Sequence, residues 1–326
     1  MTEFKPNVTK SIDNLNDLQK TVDETIENLN EQITELSGQV EEMEKLQTKS
    51  ITITENGTTE ITPDQNYYAL EKVNLTVNAG GEVDHFTKGD YLFYNTCRLS
   101  NLPNLAENHI LDNITTALQM FYCATSGLTN PERISQLPLF DTSNIIDGTD
   151  MFYYFRWGEV LTSDKNVPAY NFSNITNAYR MFASSSSTPI TSNKPTAINC
   201  VFGNNITNMY QMFYNQGNLL AFPNIPTTHS CTNFGSMCSG CSRVTDSTAI
   251  SFDFSSVTAI SSMSSMFSSC GSLSDASLKK IMTELLTVDS TLTGKTLSSL
   301  GFSSSQRTKM VAFDEWTALY NAGWTS

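Results

Sequence analysis

Charge is scarce in this sequence, and positive charge scarcer still: 16 % of its 326 residues are charged, with 19 Lys and Arg against 33 Asp and Glu and a formal net charge of −14. No Lys/Arg cluster reverses that sign locally, so the chain repels phosphate backbones and nucleic acid is not an expected partner. Nowhere do apolar residues run on for the length of a membrane span, and the opening MTEFKPNVTK has neither the basic nor the apolar region of a secretory signal. No cell-wall sorting tail is visible either. Synthesis in a cytoplasm is the expectation, and with it reduced thiols for the seven cysteines, an odd number.

Chemistry-bearing motifs are equally sparse. The three histidines, His85, His109 and His229, are scattered, and Cys238 and Cys241 form a lone C-x-x-C without a second pair at ligand spacing, so neither a metal nor a cofactor is expected. There is no G-x-S-x-G, no phosphate-binding glycine loop and no H-E-x-x-H. Asp141, Asp147 and Asp150 lie close in sequence, but two belong to the repeat turn and read as helix caps rather than acid/base groups, and no enzymatic activity is expected. What is present is a 39 % apolar, 10 % aromatic composition, ample for a core, in a background of Ser, Thr and Asn.

The first 49 residues hold 11 acidic and 5 basic side chains and a heptad pattern. Val8, Leu15, Val22, Leu29, Leu36 and Met43 fall at d; Ile12, Gln19, Ile26, Ile33, Val40 and Gln47 fall at a. A single helix cannot bury so narrow a seam, so residues 11–49 are read as a coiled-coil stalk, with Ile12, Leu15, Val22, Ile26, Leu29, Ile33, Leu36, Val40 and Met43 as the oligomer interface and residues 1–10 as a docking segment ahead of it. Residues 50–82 then change period. Ile51 and Ile53 alternate, Asn56-Gly57 and Pro63-Asp64 mark turns, Val73, Leu75 and Val77 alternate again, and Gly80-Gly81 closes a small β module and linker.

From residue 83 an apolar pair recurs: Leu92-Phe93, Met120-Phe121, Met151-Phe152, Met181-Phe182, Met212-Phe213, Met237-Cys238 and Met266-Phe267, at steps of 28, 31, 30, 31, 25 and 29 residues. Numbering the first member of each pair 0, position −6 carries Ile114, Ile145, Ile175, Ile206, Cys231 and Ile260, and position +7 carries Leu99, Leu219, Val244 and Leu273. The spacing −6, −3, 0, +1 predicts a short helix ending at the pair, preceded by an extended run such as Leu137 to Phe140, Val167 to Phe172 or Ile250 to Phe254. One such unit cannot bury its own apolar face, so residues 83–274 are expected to stack as an α/β repeat solenoid, capped by helices in 275–326. The first cap helix would bury Leu278, Ile281, Met282, Leu285 and Leu286 after a Ser274 cap; a second, Ser304 to Ala322, would turn Met310, Phe313, Trp316 and Tyr320 inward and stop at Gly323.

The segments NITNAYRMF, NITNMYQMFYNQGNL and FDTSNIIDGTDMF resemble the BspA-type leucine-rich repeats of bacterial surface proteins. That resemblance implies a leucine-rich-repeat-like solenoid with a Cys four places after the Met, as at Cys241 and Cys270, with Cys97 and Cys123 displaced by one. ITENGTTEITPDQNYYALEKVNLTVNA is similar to a module between the anchoring and distal parts of phage tail and fibre proteins, and SLGFSSSQRTKM with NAGWTS to C-termini of phage-encoded repeat proteins. Together these imply a bacteriophage virion protein, a head or tail fibre or appendage, made in the host cytoplasm. On this reading it is a homo-oligomer, by resemblance a trimer, joined to capsid or tail proteins through its N-terminus. The alternative is a bacterial surface adhesin with the same repeats. Tyr94, Tyr122, Tyr153, Tyr154 and Tyr214, beside the repeated pair, are the candidate surface for a host glycan or protein. The loop Ser184 to Ser187, outside every column, is a second variable surface.

Overall fold

In the computed structural model, residues 4–53, 72–77, 87–94, 111–122, 140–155, 166–167, 169–184, 196–247, 250–254, 260–288 and 294–326 are described. The turns at Asn56-Gly57 and Pro63-Asp64, the Gly80-Gly81 linker, Leu99, Cys97, Cys123 and most of the Leu137–Phe140 and Ser184–Ser187 segments lie outside these residues. The chain divides into two compact units, Met1–Lys49 and Ser50–Ser326.

The first unit is one helix, α1 (Phe4–Gln47). It starts at Phe4, and Pro6 falls in the first turn, where its missing N–H leaves no bond unmade. At about 1.5 Å per residue its 44 residues span roughly 65 Å. From Val8 to Val40 its apolar seam is bare within this chain, from Val22 at 43 % exposure to Leu15 at 64 %.

After the helix, β1 (Thr48–Ile53) pairs with β2 (Lys72–Val77), the strands that carry Ile51, Ile53, Val73, Leu75 and Val77. From Thr87 onward the chain builds a parallel ladder. Position −4 of each unit bridges to position −4 of the next, Lys88 to Thr116, Asp147, Asn177, Asn208, Asn233 and Ser262 in succession. Short parallel pairs run beside it: β3 (Asn166–Val167) with β5 (Ala197–Ile198), and β4 (Asn171–Phe172) with β6 (Val201–Phe202).

The expected short helix at each repeat is absent, and the hydrogen bonds show why. The N–H groups at −3, −1 and +1 donate to the following unit, as Ala117, Gln119 and Phe121 do to Asp147, Thr149 and Met151 at 2.8–2.9 Å. The groups between them donate three residues back, Met120 to Ala117 and Tyr122 to Gln119. A helix would commit every N–H within the segment and leave nothing to join neighbours; consecutive three-residue turns keep the apolar period and free alternate donors for the stack. To make this path the residue at −1 adopts left-handed backbone in all seven units, Tyr91, Gln119, Asp150, Arg180, Gln211, Ser236 and Ser265, with φ between 49° and 58°.

The columns fill the core. Position 0 is buried throughout, and the +1 phenylalanines stack face to face, Phe93, Phe121, Phe152 and Phe182 at 5.3–5.4 Å and Phe213 at 6.1 Å. Such stacking adds about 0.5–1.5 kcal/mol per pair beyond burial. Position +4 supplies a buried donor to the +1 carbonyl of the unit before: Gln216 to Phe182, Cys241 Sγ to Phe213 at 3.1 Å and Cys270 Sγ to Cys238 at 3.0 Å. Asn144 and Asn174 Nδ2 bind Asp112 and Ser143 carbonyls, and Thr115, Thr176, Thr207 and Thr232 hydroxyls bind the −5 carbonyl behind them. The Asn-Ile-Thr triplets therefore tie unit to unit.

Among the described residues three short helices follow. α2 (Asp275–Leu285), capped by Ser274, buries Leu278, Ile281, Met282 and Leu285, whereas Leu286 is the C-terminal cap and lies 38 % exposed, contrary to expectation. The single helix expected over 304–322 is two, α3 (Ser304–Val311), with a Ser303/Gln306 capping box, and α4 (Glu315–Asn321). In one continuous helix, at about 100° per residue, Leu319 would face away from Met310. The break between α3 and α4 lets both be fully buried, keeps Phe313 and Trp316 against the core, and turns Tyr320 outward at 60 % exposure. Gly323, at φ 91°, ends α4.

Candidate functional site

Position +2 follows the buried Phe column, and Tyr94, Tyr122, Tyr153 and Tyr214 stand there half-buried, with Tyr154 at +3. Tyr94 stacks on Tyr122 with ring centroids 4.9 Å apart, and Tyr122 meets Tyr153 at 5.5 Å and Tyr154 at 5.8 Å. The ladder fixes this spacing, because each unit advances the chain by one hydrogen-bonded rung. Stacked rings cover one another's faces, so Tyr94 and Tyr122 present edges and hydroxyls rather than a flat platform. Tyr214 does not join them: Ala183 holds +2 in the intervening unit, leaving no ring to bridge the step from Tyr153.

Arg180, at −1, continues the stripe instead. Its guanidinium lies over the Tyr153 ring at 4.5 Å and over the Tyr179 ring at 4.9 Å, and Tyr179 stacks on Tyr210 at 5.1 Å. Two bonds of 2.6 and 2.7 Å join it to Asp150, itself 2 % exposed, which also accepts from Gln119 Nε2 at 3.3 Å. A bidentate pair of this kind fixes the plane of the guanidinium and hence the rings on either side. Burial, then the hydrogen bond and charge of Tyr154, hold the Tyr153 phenol well above its ordinary range, so it remains a neutral donor. The result is a row of edges, hydroxyls and one neutralised cation running across five units. Sequence reasoning found its first four members; Arg180, Tyr179 and Tyr210 sit in other columns and had no signal beyond their type.

The three aspartates separate by role. Asp141 and Asp147 cap local turns, accepting from Ser143 and Thr149 backbone N–H, while Asp150 anchors Arg180. Cys200, Cys231, Cys238, Cys241 and Cys270 are buried free thiols. Burial pushes Cys231 and Cys270 up to about 12, and Cys238 and Cys200 are raised by the same cause. Among the described residues no group of His, Cys, Asp and Glu has the arrangement of a metal site, and no helix is long and apolar enough to cross a membrane.

The family described as Mycoplasma protein of unknown function, DUF285, matches residues 87–203 and again 191–294. These stretches cover more than half of the chain and coincide with the ladder; the chain belongs to this family. No curated protein and no solved structure matches it.

Proposed function

We propose that the chain is a non-enzymatic structural and attachment component of a bacteriophage particle, a head or tail fibre or appendage. In this reading α1 is a coiled-coil stalk, and residues 83–274 are a leucine-rich-repeat-like solenoid of BspA type with a helical cap. The stalk sets copy number and reach, and the stack holds the Tyr94–Tyr122–Tyr153–Arg180 stripe toward a host-surface glycan or protein.

The observation that carries the reading is the bare seam of α1. Ten apolar side chains from Val8 to Val40 stand exposed along one helix, each worth roughly 1.5–3 kcal/mol when buried. Further copies of the same helix are the occupants that match a heptad, and three is the number the fibre resemblance favours. Mass spectrometry of purified particles from the native host, with labelled antibody imaged on them, tests the assignment. Recovery in particles at a fixed copy number is the expected result; its absence from them overturns the reading.

A second reading, a cellular adhesin built on the same repeats, is favoured by the description of the matching family as a Mycoplasma protein. Fractionation separates the two, since the adhesin would travel with the cell envelope in uninfected cells.

A further inference from the structure

We propose that the pocket where the ladder ends binds a small organic carboxylate of about one sugar ring in size, in chemical class a sugar acid. The proposal starts from a missing rung. In six successive units the −3 N–H donates to the next unit, from Gly89, Ala117, Gly148, Ala178, Met209 and Phe234. In the seventh that donor is Met263, and among the described residues its N–H meets no acceptor, although Ser265 and Phe267 in the same unit still donate to Ser299 and Leu300.

The rung is lost because the incoming segment is drawn elsewhere. Thr296 bridges to Thr325, Leu297 N–H donates to Thr325 at 2.8 Å, and Thr325 N–H returns to the Lys295 carbonyl at 3.0 Å. A pocket of about 250 Å³ opens beside Met263, with Lys295 and Trp324 in its wall. Lys295 is only 8 % exposed and has no carboxylate partner among the described residues. Trp324 is 2 % exposed, and its indole Nε1–H is buried without a partner.

Lysines so largely buried are rare unless paired, and backbone N–H groups in a protein core seldom go without an acceptor. Here Lys295 and Met263, whose backbone N–H has no acceptor among the described residues, line one cavity whose lining contains no Asp or Glu. That set of donors is complementary to an oxyanion. Ile260, Met263, Leu300 and the indole ring supply apolar wall beside it, which suits a carbon skeleton carrying the carboxylate better than an inorganic ion. The volume falls just under the range of about 300–1,000 Å³ usual for drug-sized ligands, which limits the occupant to a single ring. The pocket stands independently of the virion reading.

Isothermal titration calorimetry of the full chain tests it with three probes: sodium glucuronate, glucose and inorganic phosphate. Glucuronate is expected to bind, with glucose and phosphate at least tenfold weaker. Lys295→Met should weaken glucuronate at least tenfold, Trp324→Phe by a smaller factor, and Lys309→Met, on the exposed face of α3, not at all. The melting temperature of Lys295→Met should stay level, because no ion pair among the described residues is broken. No heat with glucuronate, equal binding of glucose, equal binding of phosphate, or unchanged affinity in Lys295→Met would each overturn the proposal.

Discussion

At the scale of the residue, the −1 position carries the most unexpected conformation. Left-handed backbone ordinarily announces itself by Gly or Asn. Here Tyr, Gln, Asp, Arg, Gln, Ser and Ser hold it, because two ladder bonds on either side leave the chain no other path. A β-branched side chain tolerates that region worst, so Gln211→Val is expected to cost roughly 1–3 kcal/mol by urea denaturation, while Gln211→Gly stays within about 1 kcal/mol of wild type. The buried thiols give a second expectation. Their folded pKa is raised above the unfolded value of about 8.5, so their contribution to stability is complete below that pH and is lost as the unfolded state ionises, from about pH 8.5 toward 12. Unfolding free energy should therefore fall between pH 8 and pH 10. At pH 8 a thiol reagent should modify no more than two of the seven cysteines in the native chain and all seven in denaturant.

At the scale of the element, the seam of α1 and the close approach of β4 to β6 make separate demands. Ile33→Asp with Leu36→Asp places two charges on the seam and should reduce the oligomer to monomers in analytical ultracentrifugation; unchanged mass would show that the seam is not the interface. Gly203 follows β6, and a Cβ there would lie 1.8 Å from the Ser173 carbonyl oxygen. Backbone cannot yield as a side-chain tip can. Gly203→Ala should cost about 3 kcal/mol with an unchanged denaturant slope, whereas Gly148→Ala, whose nearest neighbour is the tip of Ile175 at 2.9 Å, should cost less.

At the scale of the whole molecule, the second unit is joined by unit-to-unit hydrogen bonds and one continuous apolar cluster from Leu92 to Trp324, without a disulfide among the described residues. Residues 50–326 expressed alone are expected to be a folded monomer. Neither chelator nor reductant should move the melting temperature; a fall of many degrees with either would show that the Cys238, Cys241 and Cys270 group holds a metal or a bond. Net charge acts at this scale too, since −14 on the whole chain gives a salt-sensitive repulsion from polyanions.

The sequence by itself determined the register. Ile at −6, Met at 0 and Phe at +1 recur because a stacked core needs apolar groups at fixed phase, and phase survives in a list of residues. The α1 seam and the Ser274 cap were legible for the same reason, being local patterns of period and type. The backbone between the columns was not legible, because −6, −3, 0, +1 is equally the spacing of a helix and of consecutive turns, and the choice rests on where each N–H finds its acceptor a unit away. Tyr320 and Leu286 were misplaced because a helix break or a cap resets the period without leaving a mark in composition. The Arg180–Asp150 clamp joins residues 30 apart, and the Lys295–Trp324 pocket exists only where one rung of the ladder fails. Tertiary structure alone decided both, since each depends on which strand end reaches which neighbour.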